Sequence, residues 1–302
     1  MTNHHQNGRS RGKEKLTVRS GGCRLTTPMN KLADRVALVT GGASGLGRAL
    51  CEQLAADGAF ALVADINTRK AEEVAAAIRQ RGGRAEAAPL DVSCEAGVLK
   101  VVNNIVAAHG RLDYMFNNAA VAIVGELRDG NATDFRRVVE VNLFGVVHGT
   151  MAAYGVMRQQ GFGHIVNLSS MTGLMPTPIL SAYSTTKWAI VGFSTAVRAE
   201  AAGLGVKVSV VCPGLVRTDM GEHNVYWNVR KEDHLAQLPW RWMIEPVKAA
   251  KCILRGVERN QEIIIFPFSV RVAWWMHRAC PCVFAPLMRR MLNRFRALRM
   301  KP

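Results

Sequence analysis

Residues 36–47 read Val-Ala-Leu-Val-Thr-Gly-Gly-Ala-Ser-Gly-Leu-Gly, an apolar run that leads directly into a glycine-rich turn. A helical pattern follows at once, so the segment predicts a strand, a turn and a helix in succession. The glycines allow the backbone to turn tightly and to approach a pyrophosphate, and the helix N-terminus offers free N–H groups to an anion. We therefore predict a dinucleotide-binding turn. Its predicted cofactor-binding residues are Gly41, Ser44, Gly45, Leu46 and Gly47.

The same alternation of apolar runs and helical patterns continues along the chain. The apolar runs are residues 36–39, 60–64, 85–90, 114–116, 165–168, 206–211 and 263–266. The helical patterns between them are residues 46–57, 68–81, 95–109, 133–160, 182–203 and 246–259. Apolar strands separated by helices indicate a parallel sheet that is covered on both faces. The predicted fold is α/β, a Rossmann-type doubly wound parallel sheet of about seven strands in a single domain, with a C-terminal helical extension.

The charge of the chain lies mainly at its two ends. The net charge of the 302 residues is +16, from 39 basic and 23 acidic residues. Residues 1–31 carry seven basic residues and one acidic residue, and residues 271–302 carry eight basic residues and no acidic residue. The nearly neutral remainder argues against a nucleic-acid-binding protein. We predict a disordered basic leader (residues 1–29), a catalytic domain (30–270) and a basic amphipathic extension (271–302).

The seven cysteines describe neither a disulfide framework nor a metal site. They are odd in number and scattered, and none has the spacing of a zinc site: Cys23, Cys51, Cys94, Cys212, Cys252, Cys280 and Cys282. The expectation is a reducing cytoplasmic location without a bound metal.

Asp65 ends the second apolar run, 20 residues after Gly45. A carboxylate at this point can accept hydrogen bonds from the adenosine ribose and would repel a 2′-phosphate. NAD is therefore the expected cofactor. Arg48 and Arg69 lie close enough in sequence to keep NADP as an alternative.

Tyr183 and Lys187 are four residues apart in a helical pattern and so share one helix face. A tyrosine ordinarily titrates near pH 10, and a neighbouring cation favours its phenolate form. Thirteen residues before Tyr183, Ser170 follows a strand together with Ser169. A hydroxyl there can hydrogen-bond a substrate oxygen beside the tyrosine.

With these pieces in order, residues 33–268 resemble the short-chain dehydrogenase/reductase family. The resemblance depends on Thr40–Gly47, Asp65, Leu90-Asp91-Val92, Asn117-Asn118-Ala119-Ala120, Val141-Asn142, Ser169-Ser170, Tyr183, Lys187 and Pro213-Gly214. One position departs from the family, whose usual Asn-Asn-Ala-Gly ends in Ala120 here. A methyl group at Ala120 would crowd a tight backbone approach to the cofactor.

The resemblance implies four catalytic residues. Tyr183 would be the general acid/base, and Lys187 would lower its pKa and bind the nicotinamide ribose. Ser170, rather than Ser169, would orient the substrate oxygen. Asn142 would hold a water molecule that links Lys187 to solvent.

The resemblance also implies contacts to the cofactor beyond the glycine turn. Asp91 and Val92 would contact adenine, and Asn117 would brace the sheet beside the cofactor. Pro213 through Thr218 would line the nicotinamide. The further cofactor-binding residues expected on this basis are Asp65, Asp91, Val92, Asn117, Ala119, Tyr183, Lys187, Pro213, Gly214 and Thr218. Family members commonly form dimers or tetramers through the helices at 133–160 and 182–203.

Residues 219–245, which we call the lid segment, would close over the substrate. The segment is rich in large apolar side chains: Met220, Tyr226, Trp227, Trp240, Trp242 and Met243. These side chains either contact a bulky hydrophobic alcohol or ketone or pack the segment against the domain.

In the C-terminal extension, apolar and basic residues fall on opposite faces of a helical pattern. The apolar face holds Leu287, Met288, Met291, Leu292, Phe295 and Leu298. Such a helix is typical of peripheral contact with a membrane surface, but docking on the domain or on a sister subunit fits equally well. Binding of nucleic acid is the least favoured alternative.

The function predicted from the sequence is NAD-dependent interconversion of a secondary alcohol and a ketone on a hydrophobic substrate. An NADPH-linked reductase of the same family, acting on ketones or 3-oxoacyl chains, is the alternative among enzymes. From another class, the chain could be a catalytically inactive dinucleotide-binding regulatory or membrane-associated protein.

Overall fold

The computed structural model describes residues 31–300 together with Met1. The rest of the predicted leader, residues 2–29, lies outside the described residues. The strands are β1 (Val36–Thr40), β2 (Phe60–Asp65), β3 (Arg84–Pro89), β4 (Tyr114–Asn117), β5 (Ile123–Val124), β6 (Gly163–Leu168), β7 (Val206–Pro213), β8 (Val225–Tyr226) and β9 (Ile263–Phe266). The helices are α1 (Gly45–Ala56), α2 (Thr68–Gln80), α3 (Glu95–His109), α4 (Ala132–Val139), α5 (Gly145–Gln160), α6 (Ser181–Glu200), α7 (Met220–His223), α8 (Lys231–Ala236), α9 (Pro246–Glu258), α10 (Phe268–Ala279) and α11 (Ala285–Arg296).

Seven strands form one parallel sheet in the order β3-β2-β1-β4-β6-β7-β9. This confirms the predicted fold, with each of the seven apolar runs in a strand of the sheet. The strand order reverses between β1 and β4, where the carboxyl ends of the strands leave a crevice in a doubly wound sheet. The glycine turn after β1 and the 117–120 segment after β4 meet at this crevice.

Both faces of the sheet are covered, which explains the continuous apolar character of the strands. All five residues of β1 are buried. Side chains of β1 alternate between two hydrophobic clusters, with Val39 in the cluster formed with α1, α2 and α9, and Leu38 in the cluster formed with α3 and α5. The sheet is therefore a rigid platform for the segments at its carboxyl edge.

The predicted helix at 133–160 is interrupted. A turn of π-helix over Glu140–Phe144 separates α4 from α5. The Asn142 side chain, within this turn, hydrogen-bonds both backbone groups of Val121. A tertiary contact of this kind leaves no periodic signal in the sequence, and π turns often lie at functional sites.

A second, two-stranded parallel sheet, absent from the predicted elements, pairs β5 with β8. It joins the lid segment to the domain. Each strand has only two residues, so neither has the length of a recognisable apolar run.

The C-terminal extension packs on the domain through both helices. Helix α10 begins at Phe268, so its first turn uses residues that we predicted to belong to the domain. Its inward residues Val270, Ala273 and Trp274 join a core cluster. The apolar face of α11 docks through Phe295, which is 3% exposed. Within the described chain, no helix combines the length and apolarity needed to cross a membrane.

Candidate active site

The glycine turn has the geometry of a cradle for a pyrophosphate. Gly41 and Gly45 have φ angles of +64° and +50°, values that side chains other than glycine rarely adopt. A Cβ atom at Gly47 would lie 2.0 Å from the carbonyl oxygen of Gly41. Ser44 makes no side-chain capping hydrogen bond to α1, so the N-terminal N–H groups of the helix are left for a ligand. These features fit the diphosphate of a dinucleotide.

Thr40 and Asn118 fasten the two segments that border the crevice, a role that we did not predict for either residue. The Thr40 hydroxyl accepts hydrogen bonds from the backbone N–H groups of Asn118 and Ala119, at 3.0 and 3.1 Å. The Asn118 amide donates to the carbonyl oxygens of Thr40 and Gly41. Only the position of these polar residues after adjacent strands could have indicated the contact. The glycine turn is therefore held against the 117–120 segment.

Asp65 lies at the carboxyl end of β2, where it also supports the glycine turn. Its two carboxylate oxygens accept from the N–H groups of Ala43 and Asn67, at 3.1 and 2.9 Å. A half-buried carboxylate therefore stands beside the turn. Thr218, in the segment that follows β7, lies against the glycine turn, since a Cβ atom at Gly45 would lie 3.0 Å from the Thr218 Cβ.

Arg48 and Arg69, the two basic residues near Asp65 in sequence, are both paired with glutamates. Arg48 lies 3.0 Å from Glu52, and Arg69 lies 2.5 Å from Glu73. Each pair spans one helical turn, so the charge of each arginine is balanced locally.

The remaining predicted cofactor residues lie along the same edge of the sheet. Asp91 is exposed after β3 and accepts from the Ser93 backbone and hydroxyl, whereas the side chain of Val92 is buried. Pro213 ends β7, and the Gly214 N–H donates to the carbonyl oxygen of Phe266 at 2.8 Å.

Asn117 belongs to a buried polar network inside the sheet. Its amide donates to Asn167 at 2.8 Å and to Thr150 at 3.2 Å, and Asn167 in turn donates to Ser194. Polar groups buried in this way rigidify a core when they are satisfied. Among residues 31–300, the Asn117 Oδ1 atom is buried and accepts no hydrogen bond. The signal missed in the sequence was Asn167, a polar residue inside an otherwise apolar strand.

The predicted catalytic residues Tyr183, Lys187 and Ser170 are brought together where α6 crosses the end of β6. The Lys187 ammonium donates to the carbonyl oxygen of Leu168 at 2.7 Å. It lies 5.3 Å from the centre of the Tyr183 ring. Strand β6 thus fixes the lysine, and one turn of α6 carries it beside the tyrosine.

Burial shifts the pKa values of both residues toward their neutral forms. It raises the pKa of Tyr183 to about 12, although a hydrogen bond from the Ser170 hydroxyl opposes the shift. It lowers the pKa of Lys187 to about 7. Burial therefore disfavours both the phenolate of Tyr183 and the ammonium of Lys187. An arrangement of two buried groups with strongly shifted pKa values is typical of a catalytic site.

The two adjacent serines have different surroundings. The Ser169 hydroxyl is buried and donates to the carbonyl oxygen of Lys187 at 2.7 Å. The Ser170 hydroxyl is partly exposed, faces Tyr183 and accepts from the Thr172 N–H. Ser169 therefore braces α6, and Ser170 is the serine that can reach a substrate.

Asn142 is fully buried behind α6, the helix that carries Tyr183 and Lys187 and that we call the catalytic helix. Besides its two hydrogen bonds to Val121, its amide donates to the Thr186 hydroxyl at 3.3 Å. Asn142 thus contacts Thr186, the residue that precedes Lys187 on α6. Its role in holding a water molecule stays a prediction.

The tryptophans of the lid segment divide between packing and exposure. Trp227 is 6% exposed, and its indole N–H donates to Asp134 at 2.8 Å. The ring covers Gly130, where a Cβ atom would lie 2.2 Å from it. By contrast, Trp242 is 85% exposed. Trp227 therefore attaches the lid segment to the domain.

Comparison with known proteins places the chain among the dehydrogenases. The family model for short chain dehydrogenases matches residues 35–228. The putative oxidoreductase SadH of Mycobacterium tuberculosis is 32% identical over 78% of this chain and 87% of its own length. Cyclopentanol dehydrogenase of Comamonas testosteroni is 36% identical over 64% of this chain and 77% of its own length.

Two further comparisons show a partial overlap and a shared fold. The probable oxidoreductase EphD of Mycobacterium tuberculosis is 39% identical over 64% of this chain, but the match spans only 33% of EphD. A short-chain dehydrogenase/reductase from Burkholderia phymatum, solved in complex with NAD, has a TM-score of 0.76 at 25% identity and covers 82% of this chain and 94% of its own.

Proposed function

Because the chain belongs to the short-chain dehydrogenase/reductase family of oxidoreductases, we propose that it interconverts a hydrophobic secondary alcohol and the corresponding ketone with NAD. The observation that carries the proposal is the convergence of Ser170, Tyr183 and Lys187 at the carboxyl end of β6, on the same edge of the sheet as the glycine turn. The similarity to cyclopentanol dehydrogenase supports an alcohol and ketone pair as substrate and product.

The chain's own residues would handle the proton and the oxygen. During oxidation, deprotonated Tyr183 would accept the proton of the substrate hydroxyl group. The Ser170 hydroxyl would donate a hydrogen bond to the substrate oxygen and hold it beside the phenol. A protonated Lys187 beside the ring would favour the phenolate and so offset the effect of burial. Bound NAD would supply the acceptor for the hydride that leaves the carbinol carbon.

The proposal of NAD rather than NADP follows from the charges around Asp65. The carboxylate stands beside the glycine turn, where it would repel a 2′-phosphate. Arg48 and Arg69 form exposed ion pairs with Glu52 and Glu73, which would compete with a 2′-phosphate for these arginines. The NAD complex of the Burkholderia phymatum relative also supports this choice.

The test combines cofactor binding with a substrate panel. Fluorescence titrations with NADH and NADPH should show tighter binding of NADH, and tighter binding of NADPH would favour the alternative reductase. A panel of cyclic and long-chain secondary alcohols with NAD, followed by NADH absorbance, should then identify the substrate class. No turnover with any alcohol or ketone, despite tight binding of NADH, would support an inactive dinucleotide-binding protein.

A tyrosine variant tests the chemistry itself. Tyr183→Phe should fold and bind NADH as the wild type does but lose at least about 100-fold in turnover. Tyr154→Phe, on α5 and outside the active site, is the matched control and should remain active. Substantial turnover by Tyr183→Phe would contradict the proposed proton transfer.

We also propose that the protein is a homodimer or homotetramer assembled through α5 and α6. Phe144, Met151 and Trp188, which lie on or next to these helices, are exposed. Light scattering after size exclusion should give a molecular mass that is a multiple of the 33.0 kDa chain mass. Trp188→Glu should lower the measured mass toward that of a single chain.

A further inference from the structure

Helix α10 carries an apolar stripe on the face that points away from the domain. Its inward residues are buried or half-buried, whereas Phe268 and Trp275 are 74% and 58% exposed. We call the exposed apolar residues of α10 the outward stripe: Phe268, Val272, Trp275 and Met276. At 100° per residue, they fall on one side of the helix. Large apolar side chains gathered on an exposed face indicate an interaction surface.

The surroundings of the outward stripe are strongly basic. No acidic residue occurs after Glu262. Arg271 and Arg278 are exposed on α10, and Arg289, Arg290 and Arg294 are exposed on α11. Among residues 31–300, none of these five arginines has an ion-pair partner. By contrast, Arg296 and Arg299 of the same segment pair with acidic residues of the domain.

We propose that this surface binds an anionic lipid bilayer, with the outward stripe in the headgroup region and Arg271 and Arg278 beside it against lipid phosphates. Aromatic and aliphatic side chains next to arginines on a helix that lies in the interface suit such a surface. The apolar face of α11 is not part of the contact, because it docks on the domain. The membrane contact predicted for the extension is thus reassigned to α10.

Two alternatives fit the surface less well. A second copy of the chain in a symmetric dimer would bring one arginine cluster against another, which is unfavourable. A nucleic acid would pair with the arginines but would leave the outward stripe of large apolar side chains in water. An anionic bilayer satisfies both the charge and the apolar surface.

The experiment is co-sedimentation of the full chain with phosphatidylcholine vesicles and with equimolar phosphatidylcholine and phosphatidylglycerol vesicles. We expect binding to the anionic vesicles, weakened by salt, with a blue shift of tryptophan emission. Arg271→Gln and Arg278→Gln should each weaken binding about fivefold. Trp275→Ser should weaken it and remove much of the blue shift, with turnover unchanged. Circular dichroism melting of each variant checks its folding.

Matched controls define the results that would overturn the proposal. Trp242→Ser and Arg158→Gln replace exposed residues of the same types outside the extension and should bind vesicles as the wild type does. Equal sedimentation with both kinds of vesicle, or α10 variants that bind like the wild type, would refute lipid recognition. A dimer that Trp275→Ser dissociates, or duplex DNA binding in place of vesicle binding, would assign the surface to those partners instead.

Discussion

Arg296 of helix α11 is ion-paired with Glu126, and the Arg296 Nε atom lies 2.8 Å from the Glu126 carboxylate. Glu126 follows strand β5, close to the lid segment. Arg128 also binds this nearly buried carboxylate. Next to it, the Gly125 N–H donates to the carbonyl oxygen of Ile179, four residues before Tyr183. The C-terminal helix is therefore connected by direct contacts to the start of the catalytic helix.

The contact of α11 with this region includes a strained residue. Ile179 has a φ angle of +64°, which is a genuine outlier for a β-branched side chain. Phe295 of α11 packs in a cluster with Ile179, Leu180 and Tyr226. Because packing must hold a strained turn in place, we expect the docked extension to contribute to the position of Tyr183.

Glu126→Gln should loosen the C-terminal helix and reduce turnover. The change removes the charge that lies beside Arg296 and Arg128, so we expect the free energy of unfolding to fall by about 2 kcal/mol. Thermal melting and limited proteolysis of the C-terminus measure the effect. Arg294→Gln, at an exposed position of α11, is the control and should not change either measurement. Wild-type turnover in a variant with a released C-terminus would show that α11 does not position the active site.

The two serines should respond differently to alanine. Ser170→Ala removes the hydroxyl that faces Tyr183, so turnover should fall by at least about tenfold while the melting temperature stays near that of the wild type. Ser169→Ala removes the buried donor to the Lys187 carbonyl, so the free energy of unfolding should fall by about 1 kcal/mol. Steady-state kinetics and melting of both variants check this pair. A larger loss of turnover in Ser169→Ala than in Ser170→Ala would reverse the assignment.

Gly47→Ala should weaken binding of the dinucleotide. A methyl group there would lie 2.0 Å from the Gly41 carbonyl oxygen, so α1 and the glycine turn could not keep their positions. Titration with NADH should show at least about tenfold weaker binding, because the backbone can no longer approach the pyrophosphate. Gly97→Ala on α3 is the control, since a methyl there meets Cys94 only at 3.5 Å. NADH binding by Gly47→Ala at wild-type affinity would contradict the predicted phosphate cradle.

Lys187→Met should change how stability depends on pH. The folded-state pKa of Lys187, about 7, lies below its ordinary value of 10.5, so between these values the unfolded chain alone binds the proton. The free energy of unfolding therefore rises with pH in this window, by up to about 1.4 kcal/mol per pH unit from this residue. Denaturant melts between pH 7 and about pH 9 should show this rise in the wild type relative to Lys187→Met.

The control for the lysine is Lys100→Met, at an exposed position of α3. Its free energy of unfolding should depend on pH as that of the wild type does across the same range. A constant difference between the wild type and Lys187→Met would mean that the buried lysine stays protonated throughout.

The strands and the order of the site residues could be predicted because their signals are local. The buried strands are continuous apolar runs, and residues that follow parallel strands necessarily meet at one edge of the sheet. The choice between Ser169 and Ser170 is of another kind. The spacing to Tyr183 favoured Ser170. The physical reason for preferring Ser170 is that the Ser169 hydroxyl is already used in a hydrogen bond to the Lys187 carbonyl oxygen. Adjacent residues on an extended segment point in opposite directions, and only packing decides what each one meets.

The sequence by itself determined the doubly wound sheet, the glycine turn and the set Ser170, Tyr183 and Lys187, since apolar periodicity and glycine act over short distances. Only the tertiary structure decided which faces of the two C-terminal helices, α10 and α11, pack against the domain. Apolar residues occur on both helices, and composition alone could not say which face would be covered. The pairing of Arg296 with Glu126, across 170 residues, holds α11 against the catalytic domain, whereas the outward stripe of α10 is exposed. Contacts between residues so distant in sequence arise from packing, and no local pattern encodes them.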